Sequence, residues 1–182
     1  AKSTPKKSET LSKDGGFQLV MRSAYIRNIA LLMILLNVVN TLGEFMLSDF
    51  VVSAANAAAE EDSSISVGSY IGSFYADFFF WVNIAGLLLQ SLVVSRMVKY
   101  LGLKGVLLAL PLVALGTYTL VAAGVGLSVL RWAKSAENAT DYSVMNNAKA
   151  MLWLPTSREE KYKAKQAVDT VFVRIGDLMA SI

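Results

Sequence analysis

The 23 residues from Gly105 to Leu127, GVLLALPLVALGTYTLVAAGVGL, carry no charge, and this narrows the fold more than any other feature of the chain. A helix of that length rises about 1.5 Å per residue and so covers the roughly 30 Å hydrocarbon core of a bilayer. Pro111 and Gly116 lie inside it; both are tolerated in membrane helices, where neighbouring groups re-satisfy the backbone. Ile26–Leu47 and Tyr70–Val94 are two further runs of spanning length. Composition agrees, with 54% hydrophobic and only 17% charged residues and a mean hydropathy of +0.48, whereas about a quarter of a soluble domain is charged.

The next segment, Ser128–Leu154, also has spanning length, yet it contains Arg131, Lys134, Glu137, Asp141 and Lys149. A charge near the bilayer centre costs at least about 2.5–3.5 kcal/mol. These side chains are therefore expected to face a bundle interior or watery cavity, or to pair with one another. A polar loop, TSREEKYKAK, is expected next, leading into a fifth helix from about Gln166. The expected fold is all-α: a polytopic transmembrane helix bundle with four complete spans (26–47, 70–94, 105–127, 128–154) and the start of a fifth (166–182). Residues 1–25 read as a cytoplasmic linker and juxtamembrane segment. The chain lacks a starting methionine and stops within helical sequence, so it reads as a piece of a longer protein.

Basic residues set the orientation, because the retained side of a membrane protein is enriched in Lys and Arg. Thirteen of the 17 lie in the amino-terminal segment, in the loop after the second span or in the loop after the fourth. None lies in 48–69 or 124–130 on the other side, which predicts a cytoplasmic amino terminus. With no cysteine and no histidine, disulfide frameworks, thiol catalysis, zinc clusters and imidazole bases are all removed. No phosphate loop or nucleophile elbow is present. The sequence thus predicts no enzyme, no cofactor, no metal and no nucleic-acid partner.

Candidate binding residues are the polar groups inside the spans. Asn37, Asn40 and Glu44 follow an i, i+3, i+7 pattern that places them on one helical face, with Gly43 beside them. Glu44 is the candidate for a coupling proton or a cationic part of a substrate; the asparagines serve equally well as interhelical hydrogen-bond donors. Asn83 and Gln90 share a face of the second span, and Asp77 points away, either available to a basic residue from another helix or simply placed near the outer interface. In the fourth span Lys134, Asn138, Asp141 and Met145 run along one face, with Arg131 and Glu137 on its shoulders and Lys149 further on. Glu137 and Asp141 repel at i, i+4 unless a cation lies between them or one is protonated. Arg174 and Asp177 are spaced for a salt bridge.

Asp141 to Asp169, DYSVMNNAKAMLWLPTSREEKYKAKQAVD, resembles the ATP/ADP translocase (nucleotide transporter) family of intracellular bacteria and plastids. The similarity lies in Tyr142, Ser143, Lys149, Pro155, Lys161, Lys163, Lys165 and Asp169, and NVVNTLGEFML is similar to the family's N-L-x-E segment, with Glu44 at the glutamate. The resemblance implies a twelve-helix, major-facilitator-like fold, of which this chain supplies the carboxy-terminal half from span seven to the start of eleven. It also implies a bacterial inner membrane, in preference to a plastid envelope, and a matching amino-terminal half as partner. Two departures bear on substrate. Asp141 stands where the nucleotide carriers have a lysine before Tyr-Ser, and no basic residue follows Glu44.

The expected function is secondary transport of a small solute, a nucleotide or other organic anion, by alternating access or antiport. The first, second and fourth spans would line the route and the third would act as lipid-facing scaffold. The substrate-binding set is Asn37, Asn40, Glu44, Asn83, Arg131, Lys134, Glu137, Asn138, Asp141 and Lys149. The alternative is a non-transporting membrane subunit that retains a transporter fold within a larger complex.

Overall fold

A computed structural model describes residues 15–181. The described chain is helical with no strand among its elements, so the expectation of an all-α fold holds. Six helices concern the site: α1 (Gly16–Arg22), α2 (Ala24–Glu61), α3 (Val67–Leu88), α4 (Val94–Ala122), α5 (Leu127–Thr140) and α6 (Asn146–Leu152). A π turn, Leu89–Val93, joins α3 to α4, and another, Asp141–Met145, joins α5 to α6. A last helical run, with two π turns, occupies 158–180.

Two helical stretches are long and apolar enough to cross a membrane, Ala24–Glu61 and Val67–Ala122, and only 22% of the most apolar window of each is buried. The second runs through both the second and third expected spans. What divides it is Gly102, at φ 63° and ψ −176°, a backbone region open almost only to glycine. α4 then ends in a Schellman turn, with the Gly124 N–H donating to the Val121 carbonyl and the Val125 N–H to that of Leu120.

Two stretches differ from the sequence reading. α2 does not stop near Leu47 but continues to Glu61, because VVSAANAAAEE is rich in alanine, the best helix former. It ends where the Asp62 carboxylate accepts the Ser64 N–H at 2.9 Å, and this bond holds the Asp62 carboxyl below its usual range. TSREEKYKAK is not a loop, since the helix is under way by Arg158. A capping box starts it: the Ser157 N–H donates to Glu160 Oε2 at 2.8 Å and the Glu160 N–H to Ser157 Oγ at 3.3 Å. Lys163–Glu159 and Lys165–Asp169 pairs continue it at i, i+4 spacing.

The chain forms two compact units. One combines the described residues up to Val38 with those from Pro155 onward, and the other is Val39–Leu154. In the first, Phe17 stacks on Phe172 with ring centroids 5.8 Å apart, and Val20, Ala164 and Val168 are fully buried. In the second, Leu47 and Val51 of α2, Phe74, Phe78 and Val82 of α3 and Leu130 of α5 form a buried cluster. That cluster fixes α2, α3 and α5 against each other just beyond the polar groups described next.

Candidate functional site

The polar residues of α2 and α5 meet one or two turns from the apolar cluster. Lys134 is 1% exposed and Glu137 2%, and Lys134 Nζ lies 2.7 Å from Glu137 Oε1 and 3.7 Å from Glu44 Oε1. Asn138 Nδ2 donates to Glu44 Oε1 at 2.7 Å. A single ammonium thus faces two carboxylates, one on its own helix and one on α2. Glu44 is the wetter member, its side chain 35% exposed. Each charge in this group has a partner, as burial requires. Two acceptor atoms remain without a donor among the described residues, Glu137 Oε2 and Asn138 Oδ1.

Gly43 makes this approach possible. A Cβ built at that position would lie 2.5 Å from Lys134 Nζ and 2.8 Å from the Tyr118 hydroxyl. Tyr118, on α4, donates its O–H to the Val39 carbonyl at 2.5 Å, and Thr117 beside it is buried, with its Oγ1 3.5 Å from the Ala133 carbonyl. The third expected span, read from the sequence as scaffold alone, thus brings polar side chains against α2 and α5. Its polar trio Thr117, Tyr118 and Thr119, in an otherwise apolar run, was the available signal.

The remaining sequence candidates do not join this group. Asp141 pairs with Lys149 at 3.1 Å across eight residues, a distance of about 12 Å along an undistorted α-helix that the wider π turn between them shortens. The face shared by Lys134, Asn138 and Asp141 is thus split into two ion pairs, and each acid of the Glu137–Asp141 repulsion has its own cation. Arg131 pairs with Asp77 at 3.4 Å and lies over the rings of Phe74 and Trp132. Arg131, Phe74 and Trp132, together with Tyr70, Leu127 and Ser128, line a cavity of about 240 Å³. Asn83 is exposed and lines another, of about 220 Å³, with Gln90 and Tyr142.

Asn37 and Asn40 part company with Glu44. Asn37 Nδ2 donates to Asp177 Oδ1 at 2.5 Å and to the Val173 carbonyl at 2.9 Å, while Asp177 also pairs with Arg174 at 3.1 Å. Asn37 therefore belongs to the packing of its own unit, where Gly176 admits it closely. Asn40 is half-buried and takes no part in the hydrogen bonds of the Glu44 group. The chain matches no protein-family model, no curated protein and no solved structure.

Proposed function

We propose that this chain is part of an integral membrane secondary transporter of the ATP/ADP-translocase-like type, moving a small organic anion by alternating access. The observation that carries the reading is the buried Glu44–Lys134–Glu137–Asn138 group on helices otherwise built of apolar residues. Ionisable groups inside membrane helices are costly and mark solute or ion pathways by default. Long apolar stretches with most of their surface unburied suit lipid better than the core of a soluble domain. In this reading α2, the two limbs of 67–122 on either side of Gly102, the α5–α6 segment and the 158–180 helix are successive crossings. The amino terminus is cytoplasmic, and the partner is a matching amino-terminal half. Lys134 is the residue assigned to the anion, with Arg131 as a second cation nearer the expected outer surface.

The test is counter-exchange in vesicles carrying the complete protein, with labelled ATP outside and ADP, inorganic phosphate or nothing inside. Uptake that depends on internal solute and is lost in Lys134→Ala supports the reading. Absence of uptake by correctly inserted protein rejects nucleotide exchange, and recovery in Asp141→Lys would locate the loss at the departed lysine. One observation favours the alternative of a non-transporting subunit: the Asp141–Lys149 pair is self-neutralised and offers a nucleotide no free cation there. A stoichiometric partner retained in mild detergent, with no flux, is the result that reading expects.

A further inference from the structure

We infer that Lys134 is a displaceable internal cation, and that the Glu44–Glu137 pair it bridges is a proton-binding site loaded when an anion draws Lys134 away. This rests on the carrier reading for its anion, but the proton site itself can be tested without transport. The first ground is charge. Glu44, Lys134 and Glu137 together carry one net negative charge, and among the described residues the cation in contact with either acid is the 1%-exposed Lys134, at 2.7 and 3.7 Å.

The second ground is hydrogen bonding. Glu137 Oε2 and Asn138 Oδ1 are buried acceptors with no donor among the described residues, on side chains each 2% exposed. Asn138 is oriented by its own bond to Glu44, so its amide oxygen is held beside the acids. The group is short of one donor, and a carboxylic O–H is a donor. Buried acceptors of this kind are rare and call for an explanation.

The surrounding charged and titratable groups are already engaged. From α4, Tyr118 spends its hydroxyl proton on the Val39 carbonyl. From the π turn, Asp141 is tied to Lys149, and Tyr142, within reach of the Glu44 and Asp141 charges, carries no cation. From α3, the only charge is Asp77, which faces Arg131. Among the described residues no second cation pairs with either acid in place of Lys134. Once its ammonium turns to an anionic ligand, two carboxylates remain together in a poorly hydrated site, and like charges so placed do not both stay ionised. One proton then enters from the aqueous side to which the site is open, binds a carboxylate oxygen, and leaves to the other side when the anion departs and Lys134 returns. Anion and proton travel together, one for one.

The test uses the full protein in liposomes at neutral pH, read by the infrared C=O stretch of protonated carboxylic acids. Lys134→Met should gain about one such band per chain over native protein. The band should persist in Lys134→Met/Glu44→Gln, where Glu137 stays buried and alone. It should vanish in Lys134→Met/Glu137→Gln, where only the half-exposed, Asn138-bonded Glu44 remains. No band in Lys134→Met, or one that survives Glu137→Gln, overturns the inference. Lys134→Gln keeps a polar donor and replaces Lys134→Met should the latter fail to fold. A band without flux leaves the proton site standing and rejects the carrier reading; flux without the band does the reverse.

Discussion

Lys134 and Glu137, one turn apart on α5, form a 2.7 Å ion pair whose side chains are only 1% and 3% exposed. Glu44 of α2 approaches the same ammonium at 3.7 Å. Pairs this deep are worth little beyond an apolar replacement, but breaking one by removing a single partner costs about 3–5 kcal/mol. Lys134→Met is therefore expected to lower stability by about that much, more than Glu44→Gln, whose carboxylate reaches water. Lys134→Met/Glu137→Gln should recover part of the loss. Unfolding of the detergent-solubilised protein, followed through the double-mutant cycle, measures all three.

Gly43→Ala places a methyl group against Lys134 Nζ and the Tyr118 hydroxyl. Both are the ends of long side chains that can give way, so the expected cost is about 1–3 kcal/mol, arising from displaced ion pairs. Gly43→Val should cost more. The same unfolding measurement on Gly43→Ala and Gly43→Val, read as a function of side-chain size, isolates the effect of Gly43.

Asp77 and Arg131 are unequal partners. The Asp77 side chain is 70% exposed, so Asp77→Ala should change stability by no more than about 1 kcal/mol. Arg131 also lies 5.6 and 5.7 Å from the ring centres of Phe74 and Trp132, contacts worth about 0.5–2 kcal/mol. Arg131→Ala should be the more destabilising change, and Arg131→Gln nearly as much so.

How legible this was differs residue by residue. The apolar runs announced the long helices because hydropathy is local, and helical spacing announced Arg174–Asp177 (i, i+3) and the shared face of Lys134 and Asn138 (i, i+4). Asn37 was misjoined to Glu44 because helical spacing states only that two residues share a face; which neighbour covers each end of a 38-residue helix is a tertiary fact. Asp141 was misjoined to Lys134 because a π turn shifts the face without a marker in the sequence. The helix start at Ser157 was legible in Ser-x-x-Glu and was hidden only by the density of charge around it. Tyr118 depended on where α4 packs, which no spacing within α4 states.

Asn37→Leu removes bonds to Asp177 and to the Val173 carbonyl and should destabilise by about 1–2 kcal/mol. Since Asn37 stands outside the Glu44 group, the infrared signature of the Lys134→Met background should be unaltered by it.

The turn after α2 should respond to acid. Its Asp62 carboxyl is held below the usual range by the Ser64 N–H, so it favours the folded turn above the ordinary carboxylate value of about 3.9. That contribution is lost as pH falls through the lower folded value. Protection of the Ser64 amide, its exchange rate relative to the intrinsic rate at the same pH, should fall below about pH 4, and in Asp62→Ala it should already be low at neutral pH.

The proposed carrier requires the Glu44 face of α2 to open to water on each side of the membrane in turn, and labelling with impermeant thiol reagents reports that opening. The sequence contains no cysteine, so a single introduced thiol reports on its own position. Asn40→Cys, one turn from Glu44, should react with a charged thiol reagent applied from either side, while Leu112→Cys, at a residue 63% exposed within the uncharged run of α4, should react from neither. An Asn40→Cys thiol that stays inert from both sides in inserted, folded protein would contradict a solute pathway and leave a membrane subunit without transport.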